Sequence, residues 1–231
     1  MFTVLELGGM DLLDYFHKTI IDEGGKVGTR INEELLIKII RGAAKALEQF
    51  HKLGGIHGDI KRENFVISLE QSVNEDVIEC KLIDFNTAVL DGQSPIPNMA
   101  NLAKSSKAPE IYATDRVSQK ADIWAFGLMV YELFNNDYYV NYYTVNKIMS
   151  RYSSKTEYNT KLDRVIKACA QSNPLNRPTI EEIVQFLNGE IEYFEYELLE
   201  MERLENERLE EQRRKDERRR NRRFGFCFGF C

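Results

Sequence analysis

Residues 57–69 read HGDIKRENFVISL, which sets Asp59, Lys61 and Asn64 on one short stretch directly before an apolar, β-branched run. An aspartate held in a loop can accept a hydroxyl proton. A lysine beside it can hold a phosphate, and an asparagine carbonyl can bind a hard cation such as magnesium. Each residue alone is bland, because an exposed Asp–Lys pair is usually surface decoration. Further on, the run LIDF places Asp84 directly after apolar Leu82 and Ile83. A carboxylate at the tip of a buried strand is costly unless it is solvated or paired. Two acids and an amide at neighbouring strand ends match what metal-assisted phosphoryl transfer requires: a base, a metal carboxylate and an amide ligand.

The elements that position these residues are legible on either side. FTVLEL at the start is apolar and β-branched and stops at Gly8-Gly9, which predicts a strand and a turn. From Asn32 a periodic segment carries Leu35, Leu36, Ile39, Ile40, Ala43, Leu47 and Phe50 on one face. Asn32 is its expected N-cap, Glu33 and Glu34 suit the positive helix end, and Gly54 suits the stop. FVISL (65–69) and VIECKLI (77–83), joined by polar residues, predict a hairpin. SQKADIWAFGLMVYELF is apolar almost all round and predicts a buried helix; two shorter helices are expected near 160–171 and 179–188.

Composition changes near Gly189. Residues 190–223 contain no glycine or proline and predict one long helix, a candidate coiled coil. Ile191, Phe194, Leu198 and Met201 follow a 3-4-3 seam, which Glu205 and Arg208 then interrupt. Charge is polarised along it: residues 190–211 hold ten acids and two bases, and residues 212–223 hold two acids and eight bases. A solvated single helix and a helix for self-association or partner binding are both open. The final residues, 224–231, repeat FGFC twice and are expected to be disordered; with the basic run before them they form a weak candidate for membrane-surface attachment.

Bulk properties narrow the class. Hydrophobic residues make up 43% of the 231, enough to fill a core. A net charge of −6 argues against wholesale nucleic-acid binding, and no specific nucleic-acid partner is expected. Four cysteines without CxxC or Cys/His spacing speak against a disulfide framework or a zinc site. The first residues lack the pattern of a signal peptide and no run of 18 apolar residues occurs, so a cytoplasmic location is expected.

Five stretches, in order, resemble the eukaryotic-type protein kinase family. HGDIKREN is similar to the catalytic loop, DFN (84–86) to the metal-binding DFG, and KAPE (107–110) to the APE motif. DIWAFG (122–127) resembles the central helix of the C-terminal lobe, and NPLNRPTIEEIV carries Arg177 where the family pairs an arginine with the APE glutamate. The resemblance covers about residues 2–188. It implies a mainly α, kinase-like hinge and C-terminal lobe with small β-hairpins over 1–189, followed by the charged helix. It further implies a serine/threonine protein kinase using ATP and Mg2+ on a protein substrate, with Lys61 favouring serine/threonine over tyrosine. Asp59 would be the base, Lys61 a γ-phosphate contact, and Asn64 and Asp84 the metal ligands. His57 and Phe85 would be apolar spine positions, Glu110 and Arg177 a buried pair, and Asp122 a brace for the loop. LELGG resembles the hinge: Leu5 as gatekeeper, backbone of Glu6 and Gly8 against adenine, Val66 and Ile83 beneath it, and Asp11 toward the ribose.

Departures from the family pattern set the competing reading. Gly58 stands where the family usually has arginine, and Asn86 where it has the glycine of DFG, a place where asparagine tolerates positive φ. Ala103 stands where a threonine is usual, with Ser105 and Ser106 as available hydroxyls. No GxGxxG and no VAIK-like stretch occurs, so a truncated or partial catalytic domain is expected, with Mg-ATP stabilising the chain little. The alternative is a catalytically inactive kinase-like interaction module whose helical tail recruits partners.

Overall fold

Asp11 caps the first helix, α1 (Leu12–Phe16), by accepting the Asp14 amide at 2.8 Å, and a turn of π-helix (His17–Ile21) continues it. The computed structural model describes residues 8–21, 30–69, 77–90, 107–114, 118–137, 142–155 and 158–227. The FTVLEL strand expected at the start, with Leu5 and Glu6, lies outside these residues.

Helix α2 (Glu33–Lys52) begins where its signals place it. Asn32 Oδ1 accepts the Glu34 amide at 2.9 Å, two acids occupy the first turn, and Gly54 follows the C-cap, Leu53. Leu36, Ile39, Ile40, Ala43 and Leu47 are buried, while Leu35 and Phe50, at the margins of the expected face, are half-buried. Strand β1 (Gly55–Ile56) follows, then a 3₁₀ turn (Arg62–Asn64) and β2 (Phe65–Ile67). β3 (Cys80–Leu82) pairs antiparallel with β2, Phe65 opposite Leu82 and Ile67 opposite Cys80, which is the expected hairpin with shorter strands. A second 3₁₀ turn (Phe85–Thr87) leads to β4 (Val89–Leu90), which returns to pair with β1 through Gly55–Leu90 and Ile56–Val89.

The remainder is helical: α3 (Pro109–Thr114), α4 (Gln119–Asn135), α5 (Tyr142–Ser154), α6 (Lys161–Cys169) and α7 (Ile180–Asn188). Every residue from Ala121 to Val130 is buried, as the all-round apolar character of α4 predicts. Burying a leucine, isoleucine or phenylalanine stabilises by roughly 1.5–3 kcal/mol, so Ile123, Phe126, Leu128 and Leu133 make α4 the centre of the core. Helix α6 packs on α4 and α7 on α2. The α4–α6 approach needs Gly127, because a Cβ there would stand 2.2 Å from the Cys169 Cβ. A complete capping box between Thr179 and Glu182 starts α7.

Helices α1, α3 and α5 have no counterpart among the elements expected from the sequence. Among the residues of α5 whose burial is described, a narrow stripe, Val145, Met149 and Tyr152, is buried, at spacings of four and three. The chain divides into two units, Met1–Glu192 and Tyr193–Cys231. The second is essentially helix α8 (Glu195–Cys227), which starts later than residue 190 and runs four residues into the FGFC repeat. Its flank carries i,i+4 pairs such as Lys215–Glu211 at 2.8 Å and Arg203–Glu207 at 2.7 Å. Among the described residues no helix is long and apolar enough to cross a membrane.

Candidate active site

Asp59, Lys61 and Asn64 form one contact cluster on the loop between β1 and β2. The Lys61 ammonium lies 2.6 Å from Asp59 Oδ2, and Asn64 Nδ2 donates to the Asp59 carbonyl at 2.8 Å and to Oδ2 at 3.1 Å. Asn64 is buried, Asp59 largely so, and the Lys61 side chain is 41% exposed. With its NH2 group spent on Asp59, Asn64 keeps its amide oxygen as an acceptor.

The loop is held by Asp122, which α4 delivers from the core. Asp122 is buried and accepts three bonds: from the His57 amide at 2.8 Å, the Gly58 amide at 2.8 Å and the His51 ring at 2.9 Å. An unpaired carboxylate at that depth would be strongly unfavourable, so these donors and the acid hold one another in place. Gly58 has φ +78, in the left-handed region that favours glycine. Where the sequence comparison sees only a missing arginine, the backbone shows a position at which a side chain would be strained.

His57 is fully buried and its ring is used up. Nδ1 accepts the Asp59 amide at 3.3 Å, so Nε2 carries the proton and donates to the Ile83 carbonyl at 3.0 Å. Its edge meets Phe50 and Phe85, with centroids 6.1 and 5.4 Å away, and Phe85 also packs 5.0 Å from Phe50. Phe85 and Ile83 are both exposed.

Asp84 is brought to this loop by the sheet. The Ile83 amide donates to the Asn64 carbonyl at 2.9 Å, which sets Asp84 one residue beyond that bond, and Thr87 Oγ1 donates to the His57 carbonyl at 2.8 Å. Asp84 is exposed and accepts the Asn86 side-chain amide at 2.7 Å, so its carboxylate is both solvated and bonded. The left-handed residue of this turn is Asp84 itself, with φ 61 and ψ 69, while Asn86 sits in the right-handed 3₁₀ turn. That corrects the expectation that positive φ would fall on Asn86. The aspartate tolerates the left-handed region because its short side chain bonds locally.

On the other side of β2, the Gly9 amide donates to the Ile67 carbonyl and the Ile67 amide to the Met10 carbonyl, each at 2.9 Å, and Asp11 bridges to Val66. Gly8 lies so close that a Cβ there would fall 2.4 Å from Val66 Cγ1. Asp11, expected near a ribose, uses one carboxylate oxygen to cap α1.

Arg177 is fully buried. It makes a two-pronged pair with Glu110 at 2.6 and 2.8 Å, donates to the Lys120 and Gln171 carbonyls at 2.8 Å, and lies 5.0 Å from the Trp124 ring centroid. Two supports escaped sequence reasoning. His51, a lone histidine on the apolar face of α2, braces Asp122. Arg62, on the loop itself, pairs with Glu132 of α4 and with Glu63 at 3.2 Å. A histidine and an arginine at isolated positions give no periodic signal, so only the fold identifies their partners.

Among the described residues no cluster of three or more His, Cys, Asp or Glu could hold a metal ion by itself. The Asn64 amide oxygen and the Asp84 carboxylate nonetheless suit magnesium, which typically takes one or two protein oxygens and completes its shell with phosphate and water.

The sequence matches the protein kinase domain family over residues 4–187. It is 24% identical over 195 residues to the RGS domain-containing serine/threonine-protein kinase A of Dictyostelium discoideum, covering 77% of this chain and 16% of that protein. It is 32% identical over 124 residues to mitogen-activated protein kinase kinase kinase 17 of Arabidopsis thaliana, covering 53% of this chain and 31% of that protein. To mitogen-activated protein kinase kinase kinase 13-B of Xenopus laevis it is 26% identical over 189 residues, covering 77% of this chain and 18% of that protein. The chain thus spans less than a third of each of these relatives. With that match running from Val4 to Leu187 and the five motifs set on a mainly α lobe, the chain belongs to the protein kinase family.

Proposed function

We propose that this chain contributes the C-terminal-lobe part of a serine/threonine protein kinase, which moves the γ-phosphoryl group of ATP to a protein hydroxyl. The observation that carries the reading is the Asp59–Lys61–Asn64 cluster, with Asp59 Oδ2 held at 2.6 Å by a cation and at 3.1 Å by an amide. Asp59 takes the proton of the attacking serine or threonine hydroxyl as its oxygen bonds to the γ-phosphorus and the bond from that phosphorus to the β,γ-bridging oxygen breaks, releasing ADP. Lys61, anchored on the same carboxylate and open to solvent, meets the transferred phosphoryl oxygens and offsets their charge. Asn64 and Asp84 would hold Mg2+, which would neutralise the nucleotide phosphates. Val66 and Ile83 supply a floor for the adenine ring, and the Gly8 backbone, packed against Val66, meets its edge; in the same reading Glu6 is the second hinge contact, Leu5 the gatekeeper and Asp11 the residue toward the ribose. His57 and Phe85 align the loop with the strand that carries Asp84, and Asp122 fixes its backbone.

The test is phosphoryl transfer from Mg-ATP to a general protein substrate, by the longest open reading frame containing this chain. Asp59→Asn keeps the hydrogen bonds and removes the base, so kcat is expected to fall by about 10²–10⁴ with the KM for ATP little changed. Activity unaltered by that substitution would overturn the assignment.

A further inference from the structure

A polar cleft of about 310 Å³ lies between the end of α4, α5 and the first turn of α6, and none of the candidate active-site residues lines it. Its lining brings three cations, Arg30, Arg151 and Lys155, against a single carboxylate, Asp163. That carboxylate is already committed. It is buried, paired with Arg30, and accepts the Tyr152 hydroxyl at 3.0 Å and the Thr160 hydroxyl at 2.7 Å. Among the described residues Arg151 and Lys155 have no carboxylate partner; Glu157 lies outside them. Once Arg30 and Asp163 cancel, the described lining holds two surplus positive charges.

The wall is ordered by aromatic contacts. Tyr152 and Tyr158 stack with centroids 5.0 Å apart and planes 8° from parallel, Tyr131 meets Tyr152 edge-on at 5.8 Å, and the Lys155 ammonium sits 4.4 Å over the Tyr158 ring. Burial pushes the Tyr158 hydroxyl up to about 12, so at neutral pH it is a donor. The cleft therefore offers donors and positive charge, with its one acidic group spent.

We propose that this cleft binds a phosphomonoester group, clamped by Arg151 and Lys155 and flanked by Arg30 and Tyr158. Such a group carries about −1.5 to −2 charges at pH 7 and three strong acceptor oxygens, which matches the two surplus cations and the Tyr158 hydroxyl donor of the lining. Charge-assisted bonds from arginine and lysine are the strong ones for this ligand. The cleft exceeds a bare phosphate in volume, leaving room for the group that carries it.

Calorimetric titration of the full chain at low ionic strength, without nucleotide, tests the site with three probes: inorganic phosphate, a phosphoserine peptide and its unphosphorylated counterpart. Both phosphate probes are expected to bind saturably, and the Arg151→Gln/Lys155→Gln double variant to weaken them by about tenfold or more, with an unchanged melting temperature. Lys61→Gln, on the loop between β1 and β2, should leave this binding intact. A phosphopeptide at least about tenfold tighter than inorganic phosphate identifies a phosphorylated protein segment as the carrier; comparable affinities identify free small phosphates. No saturable binding, equal binding of the unphosphorylated peptide, unchanged affinity in the double variant, or loss only in Lys61→Gln overturns the proposal.

Discussion

At the scale of single residues, the loop chemistry depends on groups whose roles emerge only from their partners. Asp59, Lys61 and Asn64 announce themselves by type and spacing, and they touch as that spacing suggests. Gly58 and His51 do not announce themselves: one matters for its φ of +78, the other for a bond to Asp122 that links positions 71 residues apart. Arg177 and Glu110 give a direct test of burial. Glu110→Ala leaves a guanidinium without its carboxylate in the core, and is expected to destabilise by about 3–5 kcal/mol in urea unfolding. Replacing both residues by leucine should cost less than the two single changes together; simple additivity would show that the pair does not act as a unit. The cysteines test burial differently. Burial pushes the thiols of Cys80 and Cys169 up to about 12 from 9.0. At pH 8 their alkylation in the native state should be about 10³-fold slower than in urea, read by peptide mass spectrometry. Rapid native labelling of Cys169 would contradict the packing of α6 on α4.

At the scale of elements, local signals and tertiary demands divide clearly. Asn32 and the acids behind it start α2, and Thr179 with Glu182 starts α7, because caps satisfy donors within one turn of chain. The long apolar run of α4 has one physical outcome, burial on all sides. Strand lengths were less legible: only three residues of each expected strand pair, and most of the lost length lies at the end away from Asn64 and Asp84, where the Ile78 amide donates instead to the Lys38 carbonyl of α2. The β1–β4 pair could not be read locally at all. Each strand has two residues, and their partnership spans more than thirty positions. Helix α5 was obscured by its polar surface, although its buried stripe has helical spacing.

At the scale of the whole molecule, the chain divides into Met1–Glu192 and Tyr193–Cys231, and the first unit can be tested alone. A chain ending after Glu192 retains the core around α4 and should unfold cooperatively, followed by far-UV circular dichroism against urea. A gradual, featureless loss of signal would refute this. The order of motifs, the acid–amide–lysine chemistry of residues 59–64 and the mainly α character follow from sequence alone, because residue type, helical period and capping act over a few positions. The lining of Asp122 beneath the loop, the left-handed turn at Asp84, the placing of Arg177 on Glu110 and the gathering of Arg30, Arg151 and Lys155 around one spent carboxylate are tertiary outcomes. They join residues tens of positions apart, and such contacts form only when burial of the shared core fixes where each helix lies.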